Sequence, residues 1–372
     1  MKKNNTRYIV LAVLIGVLVW MIAMPDKAFS ERENRNLASF PEITFESVFS
    51  GEFMSEFETY LTDQFPVRDF CIQLKTLVLR ITGQRLINDY YLAEGGYLIP
   101  EESAYNRERT QKLLEQINRF ADEKDKVNMS FLLAPTAKSI YEDRLPYTAT
   151  SSELQVMEEV CEALSTKINY IDVYDALYEK KEMGMYYRTD HHWTTRAAFA
   201  AFMEYAKSIG IETDGGDYAF YSVTNDFQGT CASGSGIYEN SDVVEICVPL
   251  NSEGTYVVNY IEEMRKTASL FESEKLEIKD KYQVFMGGNH AQVEIKTNAG
   301  TGRNLLLIKD SYGNCMVPML TPHFDRIVVV DPRYFSGDIY EVMMTNKVNE
   351  VLFLYNVNSL VTDNSLDIML GK

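Results

Sequence analysis

The 372-residue sequence predicts an α/β fold: a parallel sheet covered by helices, with a β-rich insertion and an apolar N-terminal anchor. Three observations carry this. First, helical patterns near 106–123, 152–166, 195–209 and 337–347 alternate with strand-like runs near 127–134, 168–173, 304–309, 326–331 and 350–355. Second, these runs are continuously apolar, as in Ile327, Val328, Val329 and Val330, which is expected of strands buried on both faces. Third, residues 212–300 break the alternation with Gly, Asn, Ser and short alternating segments, and read as a β-rich insertion that helps wall a site.

Taken in order, residues 8–24 form an uncharged apolar run of 17, preceded by Lys2, Lys3 and Arg7. A membrane span usually takes ~20 residues, with a lower limit of about 17. The basic flank keeps the N-terminus cytoplasmic and sends the remainder across. A cleaved signal peptide is the competing reading, because Ala28-Phe29-Ser30 is a small-x-small site, but the run exceeds the usual h-region of about 7–15 residues. Both readings put the folded part outside the cytoplasm. The chain thus divides into a cytoplasmic tail with a transmembrane anchor or signal peptide (1–26), a membrane-proximal linker and N-terminal extension (27–103), and an α/β domain (104–372) with its insertion at about 212–300. Within the extension, 27–45 is polar and punctuated by Pro41. Residues 46–84 place Phe49, Phe53, Phe57, Tyr60 and Leu61 on one helical stripe, broken at Pro66. Two short strands, 90–92 and 97–99, flank Gly95-Gly96.

Charge and cysteine content narrow the function. The formal net charge is −18, and since the first 24 residues carry three cations and no acid, residues 25–372 stand at −21. So acidic a surface argues against nucleic acid or an anionic bilayer as the main partner. Cys71, Cys161, Cys231, Cys247 and Cys315 show no CxxC spacing, which disfavours zinc and thioredoxin-like chemistry. Cys231 and Cys247 suit either a disulfide or two buried thiols.

Two segments carry chemistry. Asp190-His191-His192-Trp193 spends two of the four histidines and one of the two tryptophans immediately before an amphipathic helix carrying Phe199, Phe202, Met203, Ala206 and Ile209. Thr194 or Thr195 caps that helix and Gly210 stops it. His192 lies just ahead of a positive helix end, which favours the neutral imidazole that can act as a base. In an extended segment Asp190 shares a side with it. The second segment, Lys309-Asp310-Ser311-Tyr312-Gly313-Asn314, follows the strand Leu305 to Ile308. Ligands of parallel sheets bind beyond the carboxyl ends of strands, so Ser311 is placed as a nucleophile whose own N–H faces a developing oxyanion, with Gly313 permitting a tight turn. Taken alone, Asp310-Ser311 reads equally as a turn or cap, and Asp-His-His as a metal site or surface histidines.

The spaced set resembles a family. Asp190-His191-His192-Trp193 looks like the signature of the bacterial DHHW protein family, and the wider pattern is similar to the SGNH-like polysaccharide O-acetyltransferases, including the periplasmic alginate acetylation proteins. The matching pieces are Phe29 to Arg35, Asp63 to Arg68, Pro135 to Lys138, Leu145-Pro146, Thr189 to Thr194 and Lys309 to Tyr312. The resemblance implies an SGNH-hydrolase-like sheet and a Ser-His-Asp triad in which Ser311 is the nucleophile, His192 the base and Asp190 its orienter, with His191 facing away. The sequence departs from the usual esterase block in having Lys309-Asp310-Ser311 where Gly-Asp-Ser is expected.

The implied function is a membrane-anchored, extracytoplasmic acyltransferase or esterase that handles O-acetyl groups on a cell-surface polysaccharide, without cofactor or metal. Its partners would be the glycan and a membrane acyl-donor protein. Asn289, in Gly287-Gly288-Asn289-His290, is assigned to the oxyanion, although this run also reads as a hairpin turn. Arg333 and Tyr334 are assigned to glycan contacts, although capping after Pro332 also explains them. The alternatives are a catalytically silent glycan-binding scaffold and a metal-dependent phosphoesterase using Asp190, His191 and His192.

Overall fold

The computed structural model describes residues 3–147, 149–250 and 256–371. Residues 251–255 of the expected insertion, and Lys2 of the basic flank, lie outside the described residues. The chain forms two compact units, one reaching to Ile87 together with Ser233–Ile237, the other made of Asn88–Ala232 and Tyr238–Lys372.

The larger unit is built on an eight-stranded sheet. Five neighbouring strands run parallel, in the order Arg326–Val330, Asn304–Lys309, Glu350–Asn356, Asn128–Ala134 and Ile168–Ile171. These are the apolar runs of the sequence. Their side chains divide with the period of two that a strand imposes. Leu305, Leu307, Ile327 and Val329 enter one core with the helix Thr195–Ser208. Leu306, Ile308, Val328 and Val330 enter the other, with the helices Arg107–Glu123, Glu153–Ala163 and Ile339–Asn346. Each fully buried Leu, Ile or Val side chain contributes about 1.5–3 kcal/mol through removal from water.

The expectation of a wholly parallel sheet is corrected. Gln292–Lys296 pairs antiparallel with Arg326–Val330, and Val257–Tyr260 and Arg265–Thr267 extend that edge, also antiparallel, so the sheet is mixed. All three added strands come from the insertion. Their short alternating patterns mark strands, but nothing local reveals that they join the main sheet. The rest of the insertion pairs with itself, Tyr218–Phe227 against Asp242–Pro249. Tyr90–Leu92 pairs with Leu98–Pro100 around Gly95 and Gly96, which both take positive φ, and belongs to the larger unit.

In the smaller unit Lys3–Ala23 is one helix of 21 residues. Among the described residues no helix is long and apolar enough to cross a membrane, so the structure lends the expected span no support. The linker reading of 27–45 is also revised. Phe29–Ser30 and Arg35–Asn36 form a small hairpin, and buried Asp63 gathers it in by accepting from Arg35 Nη1 (2.9 Å), Arg35 Nη2 (2.5 Å) and Ala38 N (2.9 Å). The Arg35 guanidinium holds the Asp63 carboxyl below the usual carboxylate range. The Phe53, Phe57 and Tyr60 stripe closes over Phe40, with ring centroids 6.5, 5.8 and 5.4 Å away. Helices end at Asp63 and restart at Arg68, either side of Pro66.

Cys231 and Cys247 are buried free thiols, which excludes the disulfide reading. Burial raises the Cys247 thiol to about 12, leaving it protonated and inert. Reductant is therefore expected to leave the thermal midpoint unchanged. A disulfide closing this loop would contribute about 3 kcal/mol, so a reductant-sensitive midpoint in a calorimetric scan would contradict the assignment.

Candidate active site

Ser311 sits where the parallel strand Asn304–Lys309 ends in a 3-10 turn, Ser311–Cys315. Asp310 builds that turn. Its Oδ1 accepts from Tyr312 N (2.8 Å), and its Oδ2 accepts from Asn356 N (2.8 Å) and Asn356 Nδ2 (2.6 Å), tying the turn to the end of the next strand. Burial raises the Asp310 carboxyl despite these bonds. Gly313 is needed for a close approach, since a Cβ there would lie 2.9 Å from Lys309 Cβ. Lys309, where a glycine was expected, sends its stem inward. Its Nζ lies 3.3 Å from Asn289 Oδ1 and 3.4 Å from Asp331 Oδ2.

The Asp190–Trp193 segment meets this turn through three bonds. His192 Nε2 lies 2.8 Å from Ser311 Oγ, Trp193 Nε1 donates to Tyr312 O (2.9 Å), and Tyr312 Oη donates to His191 O (2.6 Å). Thr194 is the N-cap of the following helix, accepting from Ala197 N at 3.4 Å, and Gly210 follows its end at φ +70°. Asp190 Oδ1 takes the Nδ1–H of His192 (2.5 Å) and its backbone N–H (3.0 Å). That fixes the tautomer that leaves Nε2 facing the hydroxyl. Burial opposes ionisation of Asp190, but the two imidazoles and the bonds it accepts outweigh it and hold the carboxyl far below the usual range.

The insertion supplies supports with no local sequence signal. Thr230 donates to Asp190 Oδ2 from its N (2.8 Å) and from its Oγ1 (2.9 Å). Gly229 lies so close that a Cβ there would collide with the Asp190 carboxylate. Asp242 accepts from Arg188 N (2.9 Å), Thr189 N (2.8 Å) and Thr189 Oγ1 (2.6 Å), holding the approach to Asp190. Tyr282 lies parallel to the His192 ring, with centroids 3.9 Å apart. A glycine-threonine pair, an aspartate and a tyrosine have no distinctive spacing. Only the fold brings them to 190–192.

Ser311 opens into a cavity of about 140 Å³. Its wall collects residues at or just beyond the carboxyl ends of four parallel strands: Thr136, Ser311, Arg333 and Asn356 among them. His191 also lines it, with Nδ1 2.6 Å from Thr230 Oγ1. The expectation that His191 faces away is thus overturned: the tight 190–192 turn sends both imidazoles toward the same side, 3.9 Å apart. Burial, with the neighbouring imidazole adding to it, lowers His191 to about 4 and keeps it neutral at physiological pH.

Of the other assigned residues, Arg333 reaches the cavity wall and Tyr334 and Asn289 do not. Arg333 is held by Asp331 through Nε (2.9 Å) and Nη2 (2.6 Å), a two-point geometry that orients the guanidinium. Tyr334 is 56% exposed. Asn289 Oδ1 accepts from Asn314 Nδ2 (3.0 Å) and Lys309, behind the Ser311 turn. Donor atoms of Asp190, His191 and His192 lie within 4.8 Å of one another, a spacing that suits a metal. Both His192 nitrogens are already engaged, however, so coordination through that ring would break its bond to Asp190 or to Ser311.

The Gly229 contact is testable by a cycle. Gly229→Ala alone is expected to cost ~1–3 kcal/mol through overpacking, and clearly less in an Asp190→Ala background, as measured by denaturant unfolding. Equal costs in both backgrounds would show that the carboxylate is not what the glycine accommodates.

Comparison with known proteins follows the same outline. A DHHW family protein from Eubacterium siraeum has a solved structure that is 24% identical, covers 75% of this chain and 94% of its own, and superposes with TM-score 0.65. Bacillus cereus PatB1, solved with a sulfonyl adduct, is 20% identical over 75% of this chain and 99% of its own, with TM-score 0.66. Both likenesses concern the fold. The O-acetyltransferase domain of Pseudomonas putida AlgJ is more distant, 13% identical over 75% of this chain and 94% of its own, at TM-score 0.47. No curated protein matches the sequence significantly. The sequence pattern of the DHHW protein family runs through residues 110–330, from the first covering helix through the 190–193 segment and Ser311 to the end of the 326–330 strand. By that match, over more than half its length, this chain belongs to the DHHW protein family.

Proposed function

We propose that this protein is an acyltransferase or esterase that moves O-acetyl groups on a polysaccharide, with Ser311 as nucleophile, His192 as general base and Asp190 as the group that orients it. The observation carrying this reading is the unbroken line Asp190 Oδ1, His192 Nδ1, His192 Nε2, Ser311 Oγ, with links of 2.5 and 2.8 Å. A capping serine has no need of a buried imidazole on its hydroxyl. An acyl-transfer serine does.

In the first half-reaction, Ser311 Oγ bonds to the acyl carbon as its proton passes to His192 Nε2, and the same proton then goes to the departing alkoxide. In the second, a sugar hydroxyl or water gives its proton to His192 and takes the acyl group, and the proton returns to Ser311 Oγ. Asp190 stabilises the imidazolium in both. Within the turn, Tyr312 N and Gly313 N are committed to Asp310 (2.8 and 3.2 Å). The N–H assigned to the oxyanion is accordingly that of Ser311 itself. Arg333, fixed by Asp331 on the cavity wall, is assigned to the glycan or acyl donor, and the small cavity favours a short acyl group. The acetyl group and the polysaccharide are proposed from the motif resemblance.

The same reading sets the protein outside the cytoplasm, anchored by residues 8–24, with a membrane acyl-donor protein as its partner. Support for the anchor comes from the sequence alone, from an uncharged run at the lower limit of spanning length behind a basic flank.

Wild-type protein is expected to release acetate from an activated acetyl ester or pass it to an oligosaccharide, with acylation trapped on Ser311 by mass spectrometry. Ser311→Ala and His192→Ala should each lower turnover by ~10³-fold or more while the fold is kept, and His191→Ala should leave most of it. Wild-type turnover in Ser311→Ala would sink the assignment. On fractionation, the full-length chain is expected with the membranes, and a soluble product beginning at Glu31 would instead establish a cleaved signal.

A further inference from the structure

Tyr282 contacts both the base and the nucleophile. It lies in a 3-10 turn of the insertion, Lys281–Val284, far from either segment in sequence. Its hydroxyl donates to Ser311 O at 3.2 Å. Its ring stacks on His192 with centroids 3.9 Å apart and planes 12° apart. Its other aromatic neighbours meet it edge-on: Tyr187 at 82° and Phe285 at 62°. Edge-on contact is ordinary core packing, whereas face-on contact sets the imidazole over the negative π face of the phenol. The turn that carries it is tethered from outside by Lys281 Nζ pairing with Asp226 (2.8 Å) and braced from within by Gln283 Nε2 donating to Asp280 (3.0 Å).

We propose that Tyr282 is a positioning residue for the acyl-transfer reaction, which stabilises the His192 imidazolium through its π face and holds the Ser311 turn through its hydroxyl. The inference rests on the acyl-transfer reading above. Neutral imidazole gains little from the stack beyond packing. The cation formed when Ser311 loses its proton gains an attraction absent from the ground state, so the contact acts on the barrier more than on binding.

Shape and electronics can be separated at this position. Tyr282→Phe removes the hydroxyl and keeps the ring, while pentafluorophenylalanine incorporated at the same position keeps the shape and reverses the sign of the ring face. With the full-length chain and 4-nitrophenyl acetate, kcat is expected to fall by about tenfold from the phenylalanine to the pentafluoro variant, with KM and the thermal midpoint unchanged. Equal kcat in the two would overturn the stacking role and leave Tyr282 as core packing. Tyr282→Phe should itself lose a few-fold in kcat, and no loss would remove the hydroxyl from the proposal. Absence of turnover in the unsubstituted chain would instead overturn the acyl-transfer reading, and the role of Tyr282 with it.

Discussion

The seam between the 190–193 segment and the 311–312 turn is the contact on which the rest of the site depends. Three hydrogen bonds close it, from Ser311 Oγ, Trp193 Nε1 and Tyr312 Oη. The partners are separated by about 120 residues, and Ser311, Tyr312, His192 and Trp193 are buried, while His191 is half-buried. A polar atom left unpaired in such a place costs about 1–3 kcal/mol, so the two segments are stable only in contact with each other. Trp193 and Tyr312 serve here as structural clamps whose ring atoms fill the core while their polar atoms fix the register of His192 against Ser311.

The mixed sheet explains how the insertion reaches the site. A five-stranded parallel sheet brings the carboxyl ends of its strands together and places Thr136, Ser311, Arg333 and Asn356 on one wall. It does not by itself hold Asp190. By adding three antiparallel strands beyond Arg326–Val330, the insertion is pinned to the same scaffold. From that base it delivers Thr230, Asp242 and Tyr282. Asp242 opens a strand of the insertion's own antiparallel pair, while Thr230 sits in a short helix and Tyr282 in a 3-10 turn.

Buried charge is balanced locally. Asp190 is satisfied by four hydrogen bonds from His192 and Thr230. Asp331, fully buried, faces Arg333 and Lys309, whose attraction outweighs its desolvation and keeps the carboxyl below its usual range, while burial lowers the Lys309 ammonium. Glu153 on the cavity wall accepts from Thr136 N (2.8 Å), Thr136 Oγ1 (2.5 Å) and Ser139 Oγ (2.8 Å), and burial still raises it. Each arrangement follows the rule that removal of one partner from such a cluster costs more than the cluster itself contributes.

The sequence by itself determined the parallel strands, the covering helices, the Thr194 cap with its Gly210 stop, and the two segments that carry Asp190, His192 and Ser311. These are legible because each depends on residues within a few positions: a strand shows its burial in successive apolar side chains, and a cap shows itself beside its helix. Tertiary structure alone decided that the insertion strands complete the sheet, that Cys231 and Cys247 stay reduced, that Asn289 sits behind the turn, and that His191 faces the cavity. It also decided that Gly229, Thr230, Asp242 and Tyr282 surround the Asp190–His192 pair. A hydrogen bond between residues 190 and 230, or a ring stack between 192 and 282, leaves no periodic trace in the chain. Such a contact exists because two surfaces meet, and which surfaces meet is settled by burial summed over the whole fold.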